Sequence, residues 1–261
     1  MMRLRITLES TTLLRPVEVV VVLPSGFNIG KAPYRTIWAL HCAMSNADFF
    51  FDSLRAGDIA KGAHIAIIAP SLGNGYFLNS VYERQADFLQ DELMPTLQEA
   101  LPLSLQRDDN FIIGVSMGGF GALRWGLDRG ENFAAVAAIS GVFDPRLPLD
   151  ERVLKKRAQR ALHVTCDSIM RRLVLDESGQ MYPDADLNQL VRHAGSSGRA
   201  PRLELFCGEQ DYLSLSQSQA VEMLCREYRL PARLHTMPGE HDPAYWQKAF
   251  YEAVSKMLCD A

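Results

Sequence analysis

The chemistry on offer begins at Ser116. It sits in Gly114-Val115-Ser116-Met117-Gly118, after the apolar run NFIIGV and before the helix-like MGGFGALRWGL. A G-x-S-x-G between a strand and a helix predicts a sharp turn that strains the serine's backbone and lifts its hydroxyl off the strand's C-terminal edge. Side chains at 114 or 118 would collide across such a turn, and glycine removes the clash. Gly119, Gly121 and Ala122 keep the helix thin enough to press on the sheet. Amides at the helix start would face negative charge forming on a substrate oxygen. A serine hydroxyl alone is a weak nucleophile, so a base and an acid that orients the base should follow at later strand ends. LELFC runs into GEQDY and offers Asp211; ARLHTM runs into PGEHDPAYW and offers His241. The order Ser, Asp, His is the one that accompanies a nucleophile elbow. In this scheme His241 takes the proton of Ser116 and returns it to the leaving group, while Asp211 fixes the imidazole tautomer.

Each role has rivals. Glu209, Asp242 and Asp144 compete for the acid, Asp144 most seriously because it follows the apolar run AAVAAISG. His64 and His235 lie near or within strands and are read as structural, and His163 and His193 fall in a helical excursion. A pyrophosphate turn would need G-x-G-x-x-G in the first βαβ unit, whereas GGFGAL lies mid-chain. Cys42 beside His41 raises a thiol nucleophile, but adjacent strand residues point to opposite faces. Glu240-His241-Asp242 has no H-E-x-x-H companion, so no metal is expected, and no cofactor.

Positioning these loops requires a sheet. Aliphatic runs recur near 17–23, 35–40, 64–69, 110–115, 134–139, 202–207 and 232–236, mostly without polar alternation, as in strands covered on both faces. Helical spacing links Tyr82, Ala86, Leu89, Leu93 and Leu97, then 214–228, then 243–258, which opens on Pro243. The segment 3–9 joins the first run by a link too short for a crossover, so an antiparallel hairpin should begin the sheet. The expectation is an α/β fold: a mostly parallel central sheet flanked by helices, with a helical cap inserted at 145–200 into a single domain spanning 1–261. Residues 150–172 of that cap carry seven Lys or Arg against three Asp or Glu. They read as the solvated outer face of the cap, or as a basic docking surface.

Composition narrows the classes. With 27 Lys and Arg against 31 Asp and Glu, the net charge of -4 gives no electrostatic reason to expect nucleic acid. The longest apolar runs are under half the roughly 20 residues of a spanning helix, and the N-terminus shows no signal-peptide core, so no membrane association is expected. Five scattered cysteines fit neither a disulfide framework nor a zinc site, which points to a reducing, cytoplasmic location.

Taken together, VVVVLPSG, IWALHCAMSN, IAIIAPSLGNGYF, DDNFIIGVSMGGFGAL, LFCGEQDYL and MPGEHDPAYW make the chain resemble the α/β-hydrolase superfamily. Within it the resemblance is to the Putative esterase or esterase D group, particularly its tributyrin esterase-like members. The resemblance implies a Ser116-Asp211-His241 triad and hydrolysis of short-chain acyl esters, small-molecule substrates, through an acyl-enzyme. It further implies an oxyanion hole made by the backbone N–H groups of Ala43 and Met117. The group has L-H-G-x where this chain has Leu40-His41-Cys42-Ala43. Thioester hydrolases, carbohydrate deacetylases and acyltransferases of the same fold share the acyl-enzyme, so the acceptor stays open between water and an alcohol. A hydrolase-fold interaction domain is the non-enzymatic alternative, and a homo-oligomer is left open. Phe49, Phe50 and Phe51, with Tyr76 and Phe77, are candidates for an apolar acyl slot; the other reading is that they pack under the cap.

Overall fold

The computed structural model describes residues 1–24, 33–80, 82–143, 178, 180–182 and 185–259. Eight strands form one sheet: β1 (Met2–Ser10), β2 (Arg15–Leu23), β3 (Thr36–Leu40), β4 (Ala66–Pro70), β5 (Asn110–Val115), β6 (Ala135–Ile139), β7 (Arg202–Gly208) and β8 (Ala232–Met237). Their spatial order is β1-β2-β4-β3-β5-β6-β7-β8. β1 and β2 form the expected antiparallel hairpin, in register from Met2↔Leu23 to Ser10↔Arg15. β2 also pairs antiparallel with β4, and every later pairing is parallel.

Both faces of the inner strands are covered, which explains their unbroken apolar runs, whereas the edge strand β1 alternates exposed and half-buried residues. Side chains alternate along each strand. Val19, Val21, Trp38 and Ile112 enter one core, and Val20, Val22, Ile37 and Phe111 the other. The second core is closed by α1 (Asp48–Asp52), α2 (Ala56–Ala63) and the C-terminal α7 (Pro243–Cys259). The first is closed by α3 (Gln85–Asp87, Phe88–Leu93 and Met94–Ala100), α4 (Met117–Asp128), α5 (Leu187–Ser197) and α6 (Leu215–Glu227). α3 is continuous through its π-helical turn at Phe88–Leu93.

Tyr82 does not belong to α3. It is 67% exposed, and the chain first makes a turn closed by Ser80 N–H donating to the Glu83 carbonyl at 2.8 Å, with a bridge between Asn79 and Arg84. Helical spacing of apolar letters cannot register that local competition. Of the excursion between β6 and β7, the described part is helical at α5. Its Asp186 caps the helix by accepting from Asn188 N–H at 2.9 Å, and Leu187, Val191 and Ala194 bury one face. Asp144 and the basic stretch 150–172 lie outside the described residues.

Candidate active site

β5, β7 and β8 run parallel, so their C-terminal ends share one edge of the sheet, and Ser116, Asp211 and His241 follow them by one, three and four residues. At Ser116 the backbone takes φ 55 and ψ -113, a conformation held by its surroundings. The Ser116 N–H donates to the Ile139 carbonyl at 2.8 Å, and the Ser116 carbonyl accepts from Gly119 N–H at 2.9 Å. The glycines are required by close approach. A Cβ on Gly114 would lie 1.9 Å from the Gly118 carbonyl oxygen, and one on Gly118 would lie 1.9 Å from that of Leu40. Both obstacles are backbone, so neither can swing aside.

That contact gives a direct test of the turn. Gly118→Ala should cost about 1–3 kcal/mol through overpacking, a fall of roughly 2–12 °C in Tm, with a parallel loss of activity. Thermal melting of the variant beside the parent measures it, and an unchanged Tm would mean that the backbone is not packed this tightly.

The loops after β7 and β8 are knitted together. Glu209 N–H donates to the Met237 carbonyl at 3.0 Å and Gln210 N–H to that of Gly239 at 2.9 Å; Gly239 N–H in turn donates to Gln210 Oε1 at 2.9 Å. The structure thereby brings the three residues together: Ser116 Oγ is 2.9 Å from His241 Nε2, and His241 Nδ1 is 2.9 Å from Asp211 Oδ2. Asp211 is fully buried. Its Oδ1 accepts from the amides of Leu213 and Ser214 at 3.2 and 3.1 Å, and its Oδ2 accepts from Ser214 Oγ at 2.5 Å. Burial pushes this carboxyl's pKa up, but the charge and hydrogen bond of His241 and the bond from Ser214 outweigh it and bring it down to about 2. The imidazole also meets the Trp246 ring edge-on, centroids 5.0 Å apart.

Ser214 and Trp246 were not singled out from the sequence. Both stand three to five residues after a candidate site residue on a helix start, so the only available signal was proximity. Glu209 is exposed, and Asp242 caps the start of α7, accepting from Tyr245 N–H at 2.9 Å. His235 pairs with Glu204 at 2.6 Å, stacked on Phe206, as a structural histidine would.

Next to the elbow, the Ala43 and Met117 amides have no hydrogen-bond acceptor among the described residues. Met117 N–H is one of the free donors at the start of α4. Cys42 is 8% exposed and does not take a left-handed conformation, so a side chain fits where the resembling group has glycine. Burial pushes its thiol up to about 11, which leaves it protonated and a poor nucleophile at neutral pH.

The expected acyl slot is not an open wall here. Phe50, Tyr76 and Phe77 are at most 1% exposed, and they interlock with Phe250, Phe120 and His41 respectively. Phe49 keeps 8% exposure and meets Trp246 edge-on at 5.9 Å. Aromatic letters beside a loop do not show which way the ring turns, and core burial claims these. A cavity of about 480 Å³ between α5 and α6, lined by Phe143, Met181, Leu187, Val221 and Leu224, contains none of the three hydrogen-bonded residues. Among the described residues no cluster of three His, Cys, Asp or Glu side chains is placed to hold a metal, and no helix is long and apolar enough to cross a membrane.

Fold and site together define an α/β-hydrolase of the serine hydrolase class. The chain belongs to the Putative esterase family, whose model matches residues 10–257. An acetyl esterase of Caldicellulosiruptor saccharolyticus is 25% identical over 226 residues, covering 85% of this chain and 83% of that protein. The structure of FphF, a fluorophosphonate-binding serine hydrolase of Staphylococcus aureus, matches with a TM-score of 0.80 at 24% identity over 98% of both chains. The S-formylglutathione hydrolase FrmB of the same organism matches with 0.78 at 24% identity, again over 98% of both. These two likenesses speak for the fold.

Proposed function

We propose that the protein is a serine carboxylesterase that hydrolyses short-chain acyl esters through an acyl-enzyme. The observation that carries this is the unbroken relay from Ser116 Oγ through His241 to buried Asp211, 2.9 Å at each step, at the end of a strained elbow. Ser116 Oγ attacks the ester carbonyl while His241 Nε2 takes its proton, and the carbonyl oxygen becomes an oxyanion held by the amides of Ala43 and Met117. The C–O bond to the alcohol breaks as the imidazolium returns the proton to the departing oxygen. Water then enters, loses a proton to His241 and attacks the acyl carbonyl, and release of the carboxylic acid restores the Ser116 hydroxyl. Asp211, ionised down to about pH 2, holds the Nδ1–H tautomer throughout.

Similarity to an acetyl esterase across most of both chains favours a small acyl group. The same proposal takes residues 1–261 as one catalytic domain capped by 145–200. The free thiols of Cys42, Cys207 and Cys225 support a cytoplasmic setting.

Product analysis over p-nitrophenyl acetate and butyrate, longer acyl esters, an acyl thioester and an acetylated sugar tests the reading. The acetyl and butyryl esters should show the highest kcat/KM and release free acid. A tenfold preference for the thioester or the sugar, or diversion of the acyl group to an added alcohol, would replace this reading with one of its alternatives.

A further inference from the structure

The segment from 41 to 44 follows β3 beside the elbow, where the Leu40 and His41 carbonyls crowd Gly118, and its hydrogen bonds are unusually directed. His41 is completely buried and bonded on both ring nitrogens: Nδ1 is 2.8 Å from the Cys42 carbonyl oxygen, and Nε2 is 3.2 Å from Leu72 N. An amide can only donate, so Nε2 is the acceptor and Nδ1 carries the hydrogen. The ring is held on one side by Phe77, centroids 5.4 Å apart. Burial lowers its pKa to about 4, which keeps this neutral, two-sided arrangement at working pH. Two residues beyond Cys42, Met44 N–H donates to Asn74 Oδ1 at 2.6 Å. The turn is therefore clamped on both sides of Ala43 by residues of the 72–77 loop.

The carbonyl that His41 grips belongs to the same peptide unit as the Ala43 N–H. A peptide unit is planar and trans, so its C=O and N–H point in opposite directions, and fixing one fixes the other. We propose that His41 is a positioning residue: by donating to the Cys42 carbonyl it locks the Cys42–Ala43 peptide so that the Ala43 N–H stays turned toward the substrate oxygen. This rests on the reading of Ala43 as an oxyanion donor to an ester attacked by Ser116. It accounts for a histidine sealed in the core and outside the proton relay, and for an Ala43 amide without an acceptor among the described residues. It also explains how the turn keeps its geometry with Cys42 in place of glycine, since the clamp acts on the backbone and not on the side chain.

Two amide substitutions of similar size and polarity separate the donor role from simple packing. Asn in His41→Asn places an N–H where Nδ1 stands and gives up the acceptor for Leu72. Gln in His41→Gln reaches the Leu72 amide and gives up the donor to Cys42. Loss of a whole oxyanion donor costs roughly 10²–10³-fold in kcat, so misdirecting one should lower kcat on the order of 10- to 100-fold in His41→Gln, with KM within about threefold. His41→Asn should recover most of that loss. Affinity for a trifluoromethyl ketone, which forms a tetrahedral oxyanion on the serine, should fall in step with kcat, while binding of the product acid stays unchanged.

Equal activity in both variants, or greater loss in His41→Asn, would overturn the proposal and leave His41 a packing residue. So would a fall in kcat without weaker ketone binding. Thermal melting of both variants separates a folding defect from misdirection. Failure of the underlying reading looks different, because Ser116→Ala would then retain hydrolysis whatever happens at position 41.

Discussion

Ser116→Ala should lower kcat for p-nitrophenyl acetate by about 10⁴- to 10⁶-fold, the range expected when a triad nucleophile is removed, and should abolish covalent labelling by a fluorophosphonate. The substitution deletes one oxygen and its bond to His241. It does not relieve the left-handed backbone at 116, where alanine is as strained as serine. Among the described residues, Ser116 Oγ makes no second hydrogen bond that would hold the fold. The variant should therefore fold, with a Tm close to that of the parent, and lose chemistry alone. Stopped-flow absorbance gives the burst of nitrophenol that reports acylation, and the burst should vanish with turnover. A variant that keeps both burst and turnover would move the nucleophile elsewhere and take the acyl-enzyme reading with it.

The nucleophile is legible in the letters for a local reason. Gly114, Ser116 and Gly118 are fixed by contacts within and beside one turn, with Gly118 pressed on Leu40, so type and spacing carry the information. The strands were equally legible, because burial on both faces leaves few positions for polar residues in 17–23 or 110–115. The strand order was not. Nothing in the run ALHCAM says that β3 slips between β4 and β5, yet that placement brings His41 against Leu72, 31 residues away. Similarly, Ser214 could not be seen as a partner of Asp211, since an isolated serine at a helix start is ordinarily a cap. Phe50, Tyr76 and Phe77 show the limit from the other side: a sequence distinguishes apolar from polar well, but an open wall from a filled core poorly.

The hydrogen bonds around Asp211 lead to the second large effect. In Asp211→Asn, one carboxylate oxygen becomes an NH₂ group, and the site decides which. Leu213 and Ser214 both point backbone N–H groups at Oδ1. Turning the NH₂ toward them would set donor against two donors in a fully buried place, at a cost of roughly 1–3 kcal/mol for each amide left unpaired. The side chain should therefore keep its oxygen on the amides and present NH₂ to Ser214 Oγ and His241 Nδ1. Ser214 can rotate its hydroxyl to accept. His241 can accept only by moving its hydrogen to Nε2, and then Nε2 faces Ser116 Oγ as a donor, unable to take the serine's proton. The expected loss is about 10⁴-fold in kcat, the size seen when the same change forces the wrong tautomer in a serine protease.

The loss should come with intact folding above pH 4. The parent's carboxylate, lowered from 3.8 to about 2, contributes stability that is complete above the ordinary value and is lost as pH falls through about 2. An uncharged asparagine removes that dependence, so acid unfolding of the variant should begin from a lower plateau and vary less between pH 4 and 2. Asp144→Asn, the rival read from the sequence, should cost far less than 10⁴-fold. Parallel kcat and acid-unfolding curves for the two variants decide between the acids. A larger loss at 144 would transfer the orienting role away from Asp211 despite its 2.9 Å contact with the imidazole.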